Sequence, residues 1–127
     1  MRKIKKVFLV DDDETSNFLN RILLNQLEIF ENIEISKNGK EALKKVMSTK
    51  HFDWPELILL DINMPVMDGF EFLEEFYKIK PKTKGTTKVI ILTSSNSKRD
   101  LEKAKNFKID GYINKPLTIE KLENYLK

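Results

Sequence analysis

The 127-residue sequence contains no cysteine and one histidine, His51. Without thiols there can be no disulfide, no cysteine nucleophile and no Cys-based zinc site, and one histidine excludes a multi-histidine metal centre. Glycine and proline number four each, and no low-complexity tract or internal repeat is present. The longest apolar runs reach only about five residues, against the roughly 20 needed to cross a bilayer. The start, MRKIKKVFLVDDD, is positively charged, but its apolar stretch is too short for a signal peptide and runs straight into acids. These absences predict a cytoplasmic, single-domain protein without membrane contact. A chain of this length hides about two-thirds of its unfolded surface on folding, enough for a core without staples.

The charge present is uneven. The net value is +3, yet residues 1–80 hold 12 basic and 15 acidic side chains while residues 81–127 hold 11 and 5. A basic half raises nucleic acid or an anionic surface as partners; most of its lysines and arginines between 98 and 108 suit a solvated helix face.

Val7–Val10, Leu57–Leu60 and Val89–Leu92 are continuous apolar runs, the pattern of strands covered on both faces in a parallel sheet. Ile33-Glu34-Ile35 alternates, as a half-exposed edge strand does, and Gly111–Ile113 is a short candidate for the other edge. Helical spacing lies between them. Phe18, Ile22 and Ile29, with Leu19, Leu23 and Leu27, follow an acidic first turn. Asn38 with Glu41, Asp68 with Glu71, Ser97 with Asp100, and Thr118 are start signals for four further helices. Five β-α units predict a doubly wound α/β domain, a five-stranded parallel sheet with helices on both faces. The lysine-rich stretch Pro81–Lys88 is a connection without chemistry, His51 a surface residue, and Phe52 and Trp54 pack the turn before the third strand.

Ligands of such sheets bind beyond the carboxyl ends of the strands. There stand Asp11, Asp12, Asp13 and Glu14 after the first strand, Asp61 and Asn63 after the third, Thr93, Ser94 and Ser95 after the fourth, and Asn114, Lys115 and Pro116 after the fifth. Crowded carboxylates resist ionising together, and a divalent cation relieves them; Mg²⁺ favours one or two carboxylates, water and phosphate oxygens. No glycine-rich phosphate loop follows the first strand, which argues against a nucleotide or flavin site. The pattern favours metal-assisted phosphoryl chemistry on a protein carboxylate.

Val10-Asp11-Asp12, the run Leu60-Asp61-Ile62-Asn63-Met64-Pro65-Val66-Met67-Asp68-Gly69, Leu92-Thr93-Ser94 and Gly111–Pro116 occur in order at matching strand ends. Together they resemble the receiver domain of two-component response regulators, similar to the single-domain chemotaxis regulators, over the whole chain. The resemblance implies the flavodoxin-like strand order 2-1-3-4-5 and a role in phosphorelay. Asp61 would accept a phosphoryl group from the phosphohistidine of a sensor histidine kinase or phosphotransfer protein, a self-catalysed step rather than enzyme turnover. Asp11, Asp12, Asp61 and the Asn63 backbone carbonyl would hold Mg²⁺. Lys115 would pair with the phosphoryl oxygens, Thr93 and Tyr112 would act as switch residues, and Asn63 and Ser95 would tune the lifetime of the acyl phosphate. The Lys115–Pro116 bond would be cis. Asp13 lies where family members vary, and we expect it to cap the first helix or to reach the metal through water.

The resemblance also implies a downstream protein target on the face of the fourth helix, fifth strand and fifth helix, where the basic half suits an acidic partner. We expect residues 1–127 to form the receiver with no output domain and no direct nucleic-acid contact, as a monomer or a phosphorylation-dependent dimer. Two alternatives remain. Asp11–Thr15 also resembles the DxDxT motif of haloacid-dehalogenase-type phosphatases, with Asp11 as nucleophile and Asp13 as acid. A degenerate receiver would serve only as a binding module.

Overall fold

A computed structural model describes residues 3–48, 54–79 and 87–126. His51, Phe52 and residues 81–86 of the lysine-rich connection lie outside the described residues. Strands β1 (Ile4–Val10), β2 (Phe30–Ser36), β3 (Leu57–Leu60), β4 (Lys88–Thr93) and β5 (Gly111–Asn114) alternate with helices α1 (Glu14–Leu27), α2 (Gly39–Met47), α3 (Gly69–Ile79), α4 (Lys98–Ala104) and α5 (Ile119–Leu126). All strand pairs are parallel, in the order β2-β1-β3-β4-β5. Fold class, strand order and both edge strands are those expected from the sequence.

The continuous apolar runs follow from two covered faces. Val7, Leu9, Leu57, Leu59, Ile90 and Leu92 pack on one side with Leu24 of α1 and Leu122 of α5. Phe8, Val10, Ile58, Leu60 and Val89 pack on the other with Ala42 and Val46 of α2 and Phe72, Leu73 and Phe76 of α3. A smaller cluster of Ile62, Phe70, Ile91 and Ala104 seats α4. Each fully buried side chain of this size contributes about 1.5–3 kcal/mol through removal from water. Trp54 joins the α3 side of the core, its ring centroid 5.5 Å from that of Phe76.

The helix starts are those read from the sequence. Asn38 Oδ1 accepts from Glu41 N–H at 2.9 Å. Asp68 and Glu71 bond each other's backbone N–H groups at 2.9 and 3.0 Å, a reciprocal capping box. Ser97 and Thr118 accept from Asp100 and Lys121 N–H groups. Asp13 stands at the N-cap position of α1, but its carboxylate accepts the Ser16 hydroxyl at 2.8 Å and caps no backbone N–H.

The apolar stripe of α1 is buried only in part. Leu23 and Leu27 pack partly buried against the core, while Phe18, Leu19 and Ile22 keep 65%, 57% and 42% of their surface exposed. The buried residues of the helix are Asn17, Asn20 and Leu24. A 3.6-residue period identifies a helix but does not choose between two candidate stripes. The choice is made where β1 ends, because Asn17 donates from Nδ2 to the Asp11 carbonyl at 2.8 Å.

Val66, 74% exposed, has φ 69°. Met67 N–H donates to Pro65 O at 2.7 Å across it, closing a γ-turn. A β-branched residue at positive φ is strained. Val66→Asn loses almost no packing and should stabilise the protein by about 1 kcal/mol, read as a higher urea midpoint at unchanged slope; an unchanged or lower midpoint would show that the turn stores no strain.

Candidate functional site

Parallel pairing brings the site together from distant parts of the chain. Val10 pairs with Leu60, so the next residues, Asp11 and Asp61, leave adjacent strands side by side. Asp61 N–H donates to Val10 O at 2.9 Å and Asp11 N–H to Ser36 O at 3.0 Å, which extends the ladder one residue past each strand. One oxygen each of Asp11, Asp12 and Asp61 lies within 4.8 Å of the others. Asp11 and Asp61 are buried and Asp12 is exposed. Gly69 lets the start of α3 approach: a Cβ there would stand 2.5 Å from the Asp61 carbonyl oxygen.

Lys115 arrives from the far side of the sheet. Its N–H donates to Thr93 O at 2.8 Å as β5 ends, and the Lys115–Pro116 bond is cis. Its Nζ lies 2.7 Å from Asp11 Oδ2 and 3.9 Å from Asp61 Oδ2. Asp11 Oδ1 accepts the Asp13 N–H at 3.0 Å. Both Asp11 oxygens are therefore engaged, whereas Asp61 has the looser cation.

The electrostatics follow from this packing. Burial, then the charge of Asp11, pushes the Asp61 carboxyl up to about 6, against the pull of Lys115 and the Ile62 and Asn63 N–H groups. Burial disfavours the Lys115 charge, but the hydrogen bond and charge of Asp11, with Asp61 and Asp13, outweigh it and raise its pKa. Asp13 is held below the usual carboxylate range, mainly by the Ser16 hydroxyl. Three clustered carboxylates, two of them sharing one ammonium, form an oxygen-rich, negatively charged pocket, a donor set that fits a hard divalent cation such as Mg²⁺.

The remaining candidates stand at or just past the ends of β3, β4 and β5. Thr93 is fully buried, and its Oγ1 accepts from Ser95 N–H at 3.1 Å. The Ser95 carbonyl faces the Tyr112 hydroxyl at 3.5 Å and the Asn114 amide at 3.2 Å, while Ser95 Oγ donates to Asp100 at 2.6 Å. Burial, and then Asp100, raises the Tyr112 pKa. Asn63 is exposed two residues after Asp61. Sequence reading missed Asn17 and gave Asn114, named at the end of the fifth strand, no role; both amides bond backbone carbonyls of other segments, which leaves no local pattern.

A doubly wound sheet with acids after β1 and β3 and a lysine after β5 places the chain in the class of open α/β proteins with an acidic, cation-fitting site at the strand ends. The model of the response regulator receiver domain matches residues 7–127, and the chain belongs to that family. It is 39% identical over 113 residues to the chemotaxis protein CheY of Halobacterium salinarum, covering 88% of this chain and 85% of that one. It is 33% identical over 120 residues to the autoinducer 1 sensor kinase/phosphatase LuxN of Vibrio harveyi, where it spans 94% of this chain but 13% of that protein. The crystal structure of a two-component response regulator from Cytophaga hutchinsonii superposes with a TM-score of 0.85 at 35% identity, covering 98% and 96% of the two chains.

The function class is therefore phosphorelay signal transduction, in a family that generally uses Mg²⁺ at an acidic pocket. The phosphatase and binding-only alternatives are not favoured. No helix among the described residues is long and apolar enough to cross a membrane.

Proposed function

We propose that Asp61 is the phosphoacceptor. The observation that supports it most is the meeting of Asp61 with Asp11, Asp12 and the Lys115 ammonium, which spans 2.7 and 3.9 Å to two of them. An Asp61 oxygen forms the O–P bond as the P–N bond to a donor phosphohistidine breaks; the electron pair leaves with the imidazole, which takes up a proton. With its pKa near 6, Asp61 is largely ionised at neutral pH. Asp11, Asp12, Asp61 and the Asn63 carbonyl would hold Mg²⁺, which when bound would supply charge neutralisation. Lys115 stabilises charge on the transferred group.

The new group brings about −1.5 to −2 charge. Thr93 turns its hydroxyl towards it, releasing Ser95 N–H, and the β4–α4 segment and Tyr112 follow. The populations of two conformations shift, changing the face of α4, β5 and α5 offered to a protein target. Asn63 and Ser95 set how readily water reaches the acyl phosphate. Incubation with acetyl phosphate and Mg²⁺ followed by mass spectrometry should find one phosphoryl group, on Asp61; label on Asp11 would overturn the assignment in favour of the phosphatase reading.

The donor protein rests on α1. Phe18, Leu19 and Ile22 are exposed on α1, and Leu19 also lines a groove of about 360 Å³ with Asn20, Leu23, Lys115 and Pro116 among others, so the exposed apolar side of α1 reaches the residue that pairs with Asp11. Phe18→Ser should slow transfer from a phosphohistidine protein about tenfold, the cost of one apolar contact at an interface, and leave labelling by acetyl phosphate unchanged. Equal slowing with both donors would place the defect in the site instead.

A further inference from the structure

α1 buries a polar stripe where a helix on a sheet is ordinarily apolar. Asn17 keeps 4% exposure. A buried amide costs free energy unless hydrogen bonds replace those made to water. Asn17 recovers this only in part. Its Nδ2 donates to the Asp11 carbonyl at 2.8 Å, while its Oδ1 is buried without a partner. An aliphatic side chain would serve helix packing better. What asparagine supplies there is the bond to Asp11.

That carbonyl lies at the point where the chain leaves the sheet. The Asp11 N–H still belongs to the ladder, through Ser36 O at 3.0 Å, but its C=O points away to α1. A peptide unit is planar, so holding the Asp11 C=O also orients the N–H and Cα of Asp12. Asp12 is exposed, with little packing to direct it. The Asn17 N–H makes the first i→i−4 bond of α1, to Asp13 O at 3.0 Å, a backbone bond that any residue there would keep. The tie particular to asparagine is the one to the Asp11 carbonyl.

We propose that Asn17 is a positioning residue for the cation site: by holding the Asp11 carbonyl it fixes the Asp11–Asp12 peptide and aims the Asp12 carboxylate into the pocket. The inference rests on the reading that Asp11, Asp12 and Asp61 bind Mg²⁺. It assigns the buried polar face of α1 to aligning the site rather than to holding the fold.

The test compares the Mg²⁺ dissociation constant, by isothermal titration calorimetry, with urea stability for wild type, Asn17→Leu, Asp12→Asn and the double variant. Loss of a group that orients a ligand typically weakens metal binding 10–100-fold, so Asn17→Leu should bind Mg²⁺ at least about tenfold more weakly. In the Asp12→Asn background it should change affinity by less than about twofold, because its effect passes through Asp12. Wild-type Mg²⁺ affinity in Asn17→Leu, whatever its stability, would overturn the proposal, as would equal weakening in both backgrounds. Should Asn17→Leu fail to fold, Asn17→Ser removes the same bond with less change of shape and carries the same expectation. If the wild type itself binds no Mg²⁺, the cation reading fails and this inference with it, an outcome distinct from wild-type binding that Asn17→Leu leaves intact.

Discussion

Asp61→Asn should abolish phosphoryl labelling by acetyl phosphate and make the protein more stable at neutral pH. Loss of the label follows from loss of the nucleophile. The stability gain follows from the environment of Asp61, whose carboxyl is pushed up to about 6 by burial and by Asp11, from about 3.9 in an unfolded chain. The folded state therefore binds more protons than the unfolded one between those values. Stability conferred by the protonated acid is present below about pH 4 and is lost as pH rises through 6. That displacement of the pKa corresponds to at most about 3 kcal/mol at pH 7, less what solvent screening removes, and the neutral amide of the variant escapes that charge cost. In Mg²⁺-free buffer, urea midpoints measured from pH 4 to 7.5 should show the difference between Asp61→Asn and wild type growing across this window and then levelling. Added Mg²⁺ should stabilise the wild type and narrow the gap. A difference that stays flat with pH would mean that Asp61 is not strained by its neighbours.

Lys115→Ala should slow labelling of Asp61 by about 10²–10³-fold, the usual loss when a donor to developing negative charge is removed. It should also destabilise the Mg²⁺-free protein by about 2 kcal/mol, a typical value for a charged hydrogen bond to a buried partner. The two effects have different origins. The stability effect arises chiefly at Asp11, whose 2.7 Å bond is lost. The rate effect arises at Asp61, 3.9 Å away, where a phosphoryl group would draw the ammonium closer. Lys115 lowers the Asp61 pKa, so its removal should move the pH dependence of labelling upward. Mg²⁺ should restore much of the stability, since it neutralises the same carboxylates, but not the rate. Full recovery of both in Mg²⁺ would reduce Lys115 to a charge balance for the cation-free state.

The sheet was legible because its signals are local. Val7–Val10, Leu57–Leu60 and Val89–Leu92 lack alternation, and both of their faces are covered. Asn38, Asp68, Ser97 and Thr118 mark helix starts because a cap acts within three residues. The acids after β1 and β3 and the lysine after β5 stand in short runs at strand ends, where such sheets bind ligands, and the structure gathers Asp11, Asp12, Asp61 and Lys115. Asp13 was less legible: its position at the N-cap was expected, but its carboxylate prefers a side-chain hydroxyl to a backbone N–H.

By itself, then, the sequence determined the β-α alternation, the buried strands, the helix starts and which ionisable residues stand at the carboxyl ends, since each depends on periods and caps a few residues long. The tertiary structure alone decided which stripe of α1 is buried, that Lys115 holds Asp11 more closely than Asp61 across 104 residues of chain, and that the Asp61 pKa rises. These depend on strand register and on burial beside charges distant in sequence, and no local pattern encodes a distance between segments that meet only after the sheet has formed.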